Sequence, residues 1–280
     1  MICTAAKERP GASAPWRVLA AAALVAMTTM GAIAQPLNDA IERVIGRSKA
    51  ATADIAVSVM DVDTGQVLAG RNATRSFIPA SNMKLITTGT ALLTLGPDFR
   101  FRTEVLEHES RLVVRGGGDP SLGDPELLID HVLGLESEEL LRRMAAATAD
   151  RASGPYSEII IDDRVFDRTF VHPTWKVEDL NRRWSAEVAG VNFHANILSI
   201  TASPSESVSS PPSLSVSPEA SWIEIENRGK SVRRGQNTMW LSRPRTENTF
   251  TMFGDVRFEG VVDVAYHNAP RFFGELFVDR

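Results

Sequence analysis

The chain is 280 residues long, 43% hydrophobic and 23% charged, enough to bury a sizeable core in one or two domains. A net charge of −5 argues against a nucleic-acid partner, which calls for a basic patch. The single cysteine, Cys3, rules out an internal disulfide and a cysteine zinc site.

Lys7, Arg9 and Arg17 give a basic start, "VLAAAALVAMTTM" an apolar core, and "AIA" before Gln35 a small-residue cleavage site. Residues 1–34 are therefore expected to be a signal peptide removed on export, leaving a periplasmic protein. An uncleaved anchor is the alternative, although the run from Val18 to Ala34 is short for a span and carries two threonines. Cys3 follows no lipobox-like run, so no lipid anchor is expected.

"PLNDAIERVIGRSK" (Pro36 to Lys49) carries a helical stripe at Leu37, Ile41, Val44 and Ile45. Two extended runs around Asp63-Thr64-Gly65 then predict a β-hairpin. A helix follows from about Asn82 to Leu95, stopped by Gly96-Pro97. "FRTEVLEHESRLVVRGGGDPSLG" reads as a second strand pair with a glycine-rich exit. Those glycines could cradle a phosphate, but no G-K-[S/T] follows, so a turn is the reading. "SEELLRRMAAATAD" (Ser137 to Asp150) is a capped helix, and "SEIIIDDRVFD" holds a short buried strand ending on acids. The Ser/Pro-rich stretch from Thr201 to Ser221 reads as a linker or as a long surface loop between two strands of one sheet. We expect the loop. "TENTFTMFGDVRFEGVVDVAY" alternates like strands, and "APRFFGELFVDR" begins an amphipathic helix.

The five histidines (His108, His131, His172, His194, His267) are scattered, with no H-E-x-x-H or similar pairing, so no metal is expected. No other cofactor is expected either. The chemistry lies in "FIPASNMKLITTGTALLTLG" (Phe77 to Gly96). The chain has only five lysines, yet Lys84 stands in this apolar run, three residues after Ser81. A hydroxyl is a poor nucleophile and needs a base within hydrogen-bond reach. On a helix, positions i and i+3 share a face, so Lys84 can reach back to Ser81 Oγ. Burial among Met83, Leu85 and Ile86 would favour the neutral amine that a base requires. A serine at the helix start also lies near backbone N–H groups that can hold a developing oxyanion. The other reading is a helix-capping serine followed by a snorkelling surface lysine.

"PASNMKLITTGTALLTLGPDFRFRTEV" resembles the first motif region of the serine D-Ala-D-Ala carboxypeptidase/endopeptidase family, the low-molecular-mass class C penicillin-binding proteins. The likeness continues through "VRGGGDPSLG", "IIIDDRVFD", "HPTW", "GVNFHANILSI" and "RPRTENTFTMFGDV". It implies an α+β fold: a partial, penicillin-recognising transpeptidase-like domain carrying a large, mainly β insertion. By the same resemblance, residues 35–99 open that domain with the S-x-x-K motif, 100–258 are the insertion in two subdomains, and 259–280 begin the return. Ser81 matches the acylated nucleophile and Lys84 its proton acceptor, while Asp162 and Phe166 match a stretch that approaches the peptide side chain. The implied partners are peptidoglycan stem peptides, with β-lactams as acylating inhibitors.

Such enzymes also use an S-x-N loop and a K-T-G strand, and this sequence carries neither. Tyr266-His267-Asn268 is a near match to the Y-x-N variant. The chain stops inside its last amphipathic helix and is expected to be interrupted before those motifs. The leading expectation is thus an exported peptidase acting through an acyl-enzyme on Ser81. A non-catalytic cell-wall binding fragment is the alternative. A β-lactamase-like hydrolase is disfavoured, because the insertion is too large for that compact fold.

Overall fold

The computed structural model describes residues 36–129 and 134–280, in two compact units divided after Gly96. The expected signal, residues 1–34, lies outside the described residues.

In the first unit, residues 36–47 form helix α1. Strands β1 (Val57–Met60) and β2 (Val67–Arg71) pair antiparallel in the hairpin that the turn residues predict. The turn closes locally: Asp61 Oδ1 accepts from the Thr64 hydroxyl at 2.7 Å and the Thr64 amide at 2.8 Å. These bonds, the hydroxyl's first, hold the Asp61 carboxyl below its usual range. Gly65 follows at φ 70°, a left-handed position that costs glycine little. Helix α1 is tied to the hairpin by Asn38, whose Oδ1 accepts from Gly70 N at 3.0 Å, and by a Glu42–Arg71 ion pair at 2.6 Å. Among the described residues of this unit, Ile45 and Ala69 are the buried apolar side chains. A single 3-10 turn, Ala80–Asn82, then leads into α2 (Met83–Leu95), of which no residue is buried.

The second unit holds the dense core. Strands β3 (Glu104–His108) and β4 (Arg111–Arg115) form a hairpin, and β5 (Glu158–Asp162) lies parallel on the other side of β4. Parallel neighbours need a crossover, and α3 (Ser137–Ala149) supplies it, with Leu141 fully buried. Glu136 takes the N-cap position of α3. Ser137, which opens the predicted helix, is buried and donates its hydroxyl to Gly123 O at 2.7 Å.

Strand β6 (Ile197–Ser203) is central in a second sheet, between β7 (Ser213–Ser217) and β13 (Gly260–Ala265), both antiparallel to it. This corrects the expected exposed loop over 201–221. Residues 213–217 pair with β6, Ala202 is buried, and within that stretch 204–212 and 218–221 lie outside the ladder. Serines fill the outward positions while Ala202, Leu214 and Val216 face the core, so composition hid a period-two pattern. A third sheet places β11 (Phe250–Phe253) between β10 (Trp240–Ser242) and β8 (Ile225–Asn227). Short strands β9 (Lys230–Ser231) and β12 (Asp255–Val256) pair parallel beside it.

Helix α4 (Ala269–Asp279) buries Ala269, Phe272, Phe273, Leu276 and Phe277, a stripe at helical spacing. Phe272 stacks on Tyr266 at 4.0 Å, and Phe273 packs against Phe193 at 5.8 Å. Each such aromatic contributes about 1.5–3 kcal/mol by burial. Segment 259–280 thus lies within the second unit, with β13 on β6 and α4 in the shared core.

The glycine-rich exit of β4 is a close backbone approach. A Cβ on Gly116 would lie 2.2 Å from Gly190 O, and one on Gly190 would lie 2.3 Å from Asp163 O. The amides are already used: Gly116 N donates to Asp162 O at 3.0 Å, and Gly118 N to Gly190 O at 2.8 Å. That leaves no cradle for a phosphate at these two amides. Gly190→Ala should therefore destabilise this unit by about 1–3 kcal/mol. Gly154→Ala, where a Cβ meets nothing within 4 Å, should stay within about 0.5 kcal/mol of wild type. Urea titration compares them, and equal midpoints would show that the loops have room to spare.

Candidate functional site

Ser81 lies in the 3-10 turn and Lys84 in the first turn of α2, with Lys84 Nζ 3.4 Å from Ser81 Oγ. The turn is bent by Ala80 at φ 46°, a left-handed position that costs a non-glycine residue about 1–3 kcal/mol. It is closed by Asn82 N donating to Pro79 O at 2.9 Å. The i, i+3 spacing therefore does bring hydroxyl and amine within reach. The expected burial does not occur: Met83, Leu85 and Ile86 are 47%, 74% and 62% exposed. A helix and one hairpin, with two buried apolar side chains, are too little to cover an apolar 13-residue helix.

Asp162 and Phe166 sit in the second unit, at the exit of β5. Asp162 accepts from Arg164 Nε at 2.7 Å and Nη2 at 3.0 Å, and from Arg115 Nε at 3.4 Å. The Arg164 bond, ahead of Arg115, holds its carboxyl far below the usual range. Phe166 is half exposed, its ring lying against Gly118, where a Cβ would meet it at 2.7 Å. The sequence reading missed the surrounding charges. Asp163 is buried, with Arg168 at 3.4 Å from one oxygen and no hydrogen-bond partner for Oδ2 among the described residues. Arg115, Asp162, Asp163, Arg164 and Arg168 line one side of a cleft of about 500 Å³. Arg115 lies 47 residues from Asp162, so no local pattern announced their pairing.

Tyr266, of the near match to Y-x-N, is fully buried. Its hydroxyl donates to Phe193 O at 2.7 Å, and burial pushes the phenol well above its usual range. His267 Nδ1 lies 2.7 Å from Glu187 Oε1, and Asn268 caps α4 by accepting from Arg271 N at 3.3 Å. The triplet is structural. It supports a turn in which His194, Ala195 and Asn196 all have positive φ. Asn196 holds that turn through Phe193 N, Glu187 O and Asn192 Oδ1. His194 is buried in it, with Nδ1 donating to Ile197 O at 3.0 Å, and desolvation lowers its pKa.

Among the described residues no group of three His, Cys, Asp or Glu side chains is placed to hold a metal, and His131 lies outside them. No helix of the described residues is long and apolar enough to cross a membrane.

The profile of the D-Ala-D-Ala carboxypeptidase 3 (S13) family matches residues 37–269. A D-alanyl-D-alanine carboxypeptidase of Actinomadura sp. (strain R39) is 29% identical over 218 residues, covering 71% of this chain and 37% of that protein. Penicillin binding protein 4 of Haemophilus influenzae superposes with a TM-score of 0.60 at 17% identity, covering 80% of this chain and 49% of the other. Its structure with a β-lactam gives 0.53 at 15% identity, with 80% and 48% covered. The fold is therefore that of part of a penicillin binding protein of this type.

Two of the groups that shape the acid response are His194 and Asp162. His194 has a folded pKa below its unfolded value of about 6.5, so the unfolded chain binds the extra proton and stability falls as pH drops below that value. Asp162 is also depressed, so its contribution is complete above about pH 4 and drains as pH falls further. Urea midpoints at pH 7.5, 5.5 and 3.5 should decline in two stages. His194→Asn keeps a donor and tolerates φ 52°, and should flatten the first stage. Asp162→Asn should reduce the second. A first stage unchanged in His194→Asn would reject this assignment.

Proposed function

The chain belongs to the D-Ala-D-Ala carboxypeptidase 3 (S13) family, and from that premise we propose that it is a serine-type D-Ala-D-Ala carboxypeptidase and endopeptidase. Its substrates are peptidoglycan stem peptides ending or cross-linked in D-Ala-D-Ala, and β-lactams acylate the same serine. The observation that carries this reading is the 3.4 Å contact between Lys84 Nζ and Ser81 Oγ at the head of α2. Ser81 Oγ attacks the carbonyl carbon of the penultimate D-Ala while the Lys84 amine takes its proton. The tetrahedral intermediate collapses, the C–N bond breaks, and the terminal D-Ala leaves with that proton on its amine. Water then attacks the ester on Ser81 and gives up a proton that passes to Ser81 Oγ as the Oγ–acyl bond breaks, and the shortened peptide departs. Asp162 and Phe166 would meet the peptide side chain.

The chain spans 37% of the curated relative's length and 49% of the solved neighbour's. It also carries no S-x-N or K-T-G sequence after Lys84, and α2 is uncovered. The exposure of α2 favours a second reading, a non-catalytic cell-wall binding protein of the same family. Labelled penicillin separates the two. In the first reading the adduct maps to Ser81, Ser81→Ala abolishes it, and Lys84→Arg nearly does, because a guanidinium stays protonated. Absent labelling of wild type at millimolar penicillin, with retention on peptidoglycan, would select the second. Export is proposed too: N-terminal sequencing of the secreted protein should begin at or near Gln35, and recovery of Met1 in a membrane fraction would reject cleavage.

A further inference from the structure

The third sheet of the second unit has one face in the core and one facing solvent. Leu241, Phe250 and Met252 point inward and are buried. The outward positions, fixed by the register Trp240↔Phe253, Ser242↔Thr251 and Thr251↔Glu226, carry an unusual set for a sheet surface. Trp240 and Phe253 stack with centroids 4.5 Å apart and planes 17° from parallel. On the Phe253 side, the Arg228 guanidinium lies 5.8 Å from the ring centroid. Three flat groups thus stand in a row across the strands. Trp240 is at the outer end, on edge strand β10, and is still 47% exposed. The charges on this face cancel: Arg228 binds Glu226 at 2.7 Å, and the remaining outward groups are the hydroxyls of Ser242 and Thr251.

We propose that this face is a glycan platform, on which the apolar face of a pyranose ring of a neutral N-acetylated polysaccharide stacks on the open side of the Trp240 indole. A pyranose presents axial C–H groups on one face and hydroxyls around its edge. The electron-rich face of an indole attracts such C–H groups, and hydroxyl and carboxylate neighbours can bond the rim. The Phe253–Arg228 stack holds the indole upright before any ligand arrives, which lowers the entropy lost on binding. Charge complementarity selects the partner. A nucleic acid would need net positive charge, and this face has none. A neutral polyol fits. The choice of an N-acetylated glycan rests on the peptidoglycan reading above; the stacking geometry does not.

The probe is the hexamer of β-1,4-linked N-acetylglucosamine, titrated calorimetrically into the full chain. Wild type should bind it, and Trp240→Ala should raise Kd at least about tenfold. Trp240→Phe keeps an aromatic face and should retain binding within a few-fold, which covers the case of an unstable alanine variant. Trp184→Ala removes another exposed tryptophan, 73% exposed, and should bind as wild type. Ser81→Ala should also bind as wild type, and Trp240→Ala should keep the penicillin labelling of wild type, so the two proposals fail separately. No binding by wild type at millimolar hexamer, or an unchanged Kd in Trp240→Ala, would overturn the platform. An equal loss in Trp184→Ala would do the same.

Discussion

The second unit is organised around a place where three backbone segments meet with no side chain between them. The exit of β4, the exit of β5 and the loop before β6 touch at Gly116, Asp163 and Gly190, at distances that leave no space for a Cβ. Two backbone hydrogen bonds, donated by Gly116 N to Asp162 O and by Gly118 N to Gly190 O, fix the register of that contact. The carbonyls they satisfy would otherwise be buried without partners, at a cost of about 1–3 kcal/mol each. Everything at the β5 exit inherits its position from this lock. Asp162 can collect Arg115 and Arg164 because its own carbonyl is pinned, and Phe166 can lie on Gly118 because glycine leaves the room.

The same lock reaches the aromatic core. Past Gly190 the chain enters the left-handed turn at His194–Asn196, a backbone state that persists only where the surroundings over-determine it. Asn196 supplies three side-chain bonds and Tyr266 two more, so the strain is held by a buried, satisfied polar network. Phe193, one residue before the turn, then packs on Phe273 of α4. Sheet exit, strained turn and helix stripe form one cooperative body.

What the sequence made legible follows from range. Helix α4 could be read from its i, i+3, i+4 apolar stripe, the first hairpin from Asp63-Thr64-Gly65, and the Ser81–Lys84 contact from one helical turn. Each depends on neighbours within about four residues. The hairpin over 197–217 was hidden because serine occupied its outward positions, so alternation looked like low complexity. Arg164 apart, the partners of Gly116 and Asp162 lie 46 to 74 residues away in the chain, where periodicity carries no information. Tyr266 resembled part of a motif, but its burial depends on Phe193 and Phe272, which no local pattern links to it. The exposure of α2 was missed for a different reason. An apolar helix predicts that something covers it, and here the described elements of its own unit do not.

That contrast bears on how Ser81 is presented. The second unit has a large aromatic core, whereas the first, among its described residues, buries two apolar side chains and rests otherwise on a hairpin and exposed ion pairs. Exposed ion pairs are worth about 0–1 kcal/mol each, and a lone hairpin is marginal in water. Yet the turn that carries Ser81 stores strain at Ala80, of the same order as those contributions together. A strained turn keeps one geometry only when packing around it exceeds its cost. The orientation of Ser81 Oγ toward Lys84 therefore depends on cover over α2 more than on the turn's own bonds. Apolar cover over Leu85, Ile86, Leu92 and Leu93 would contribute about 1.5–3 kcal/mol per side chain, enough to hold the turn in its strained state. If Ser81 is the acylated residue as proposed, its reactivity should accordingly rise and fall with the packing of α2, even where Ser81 and Lys84 are unchanged.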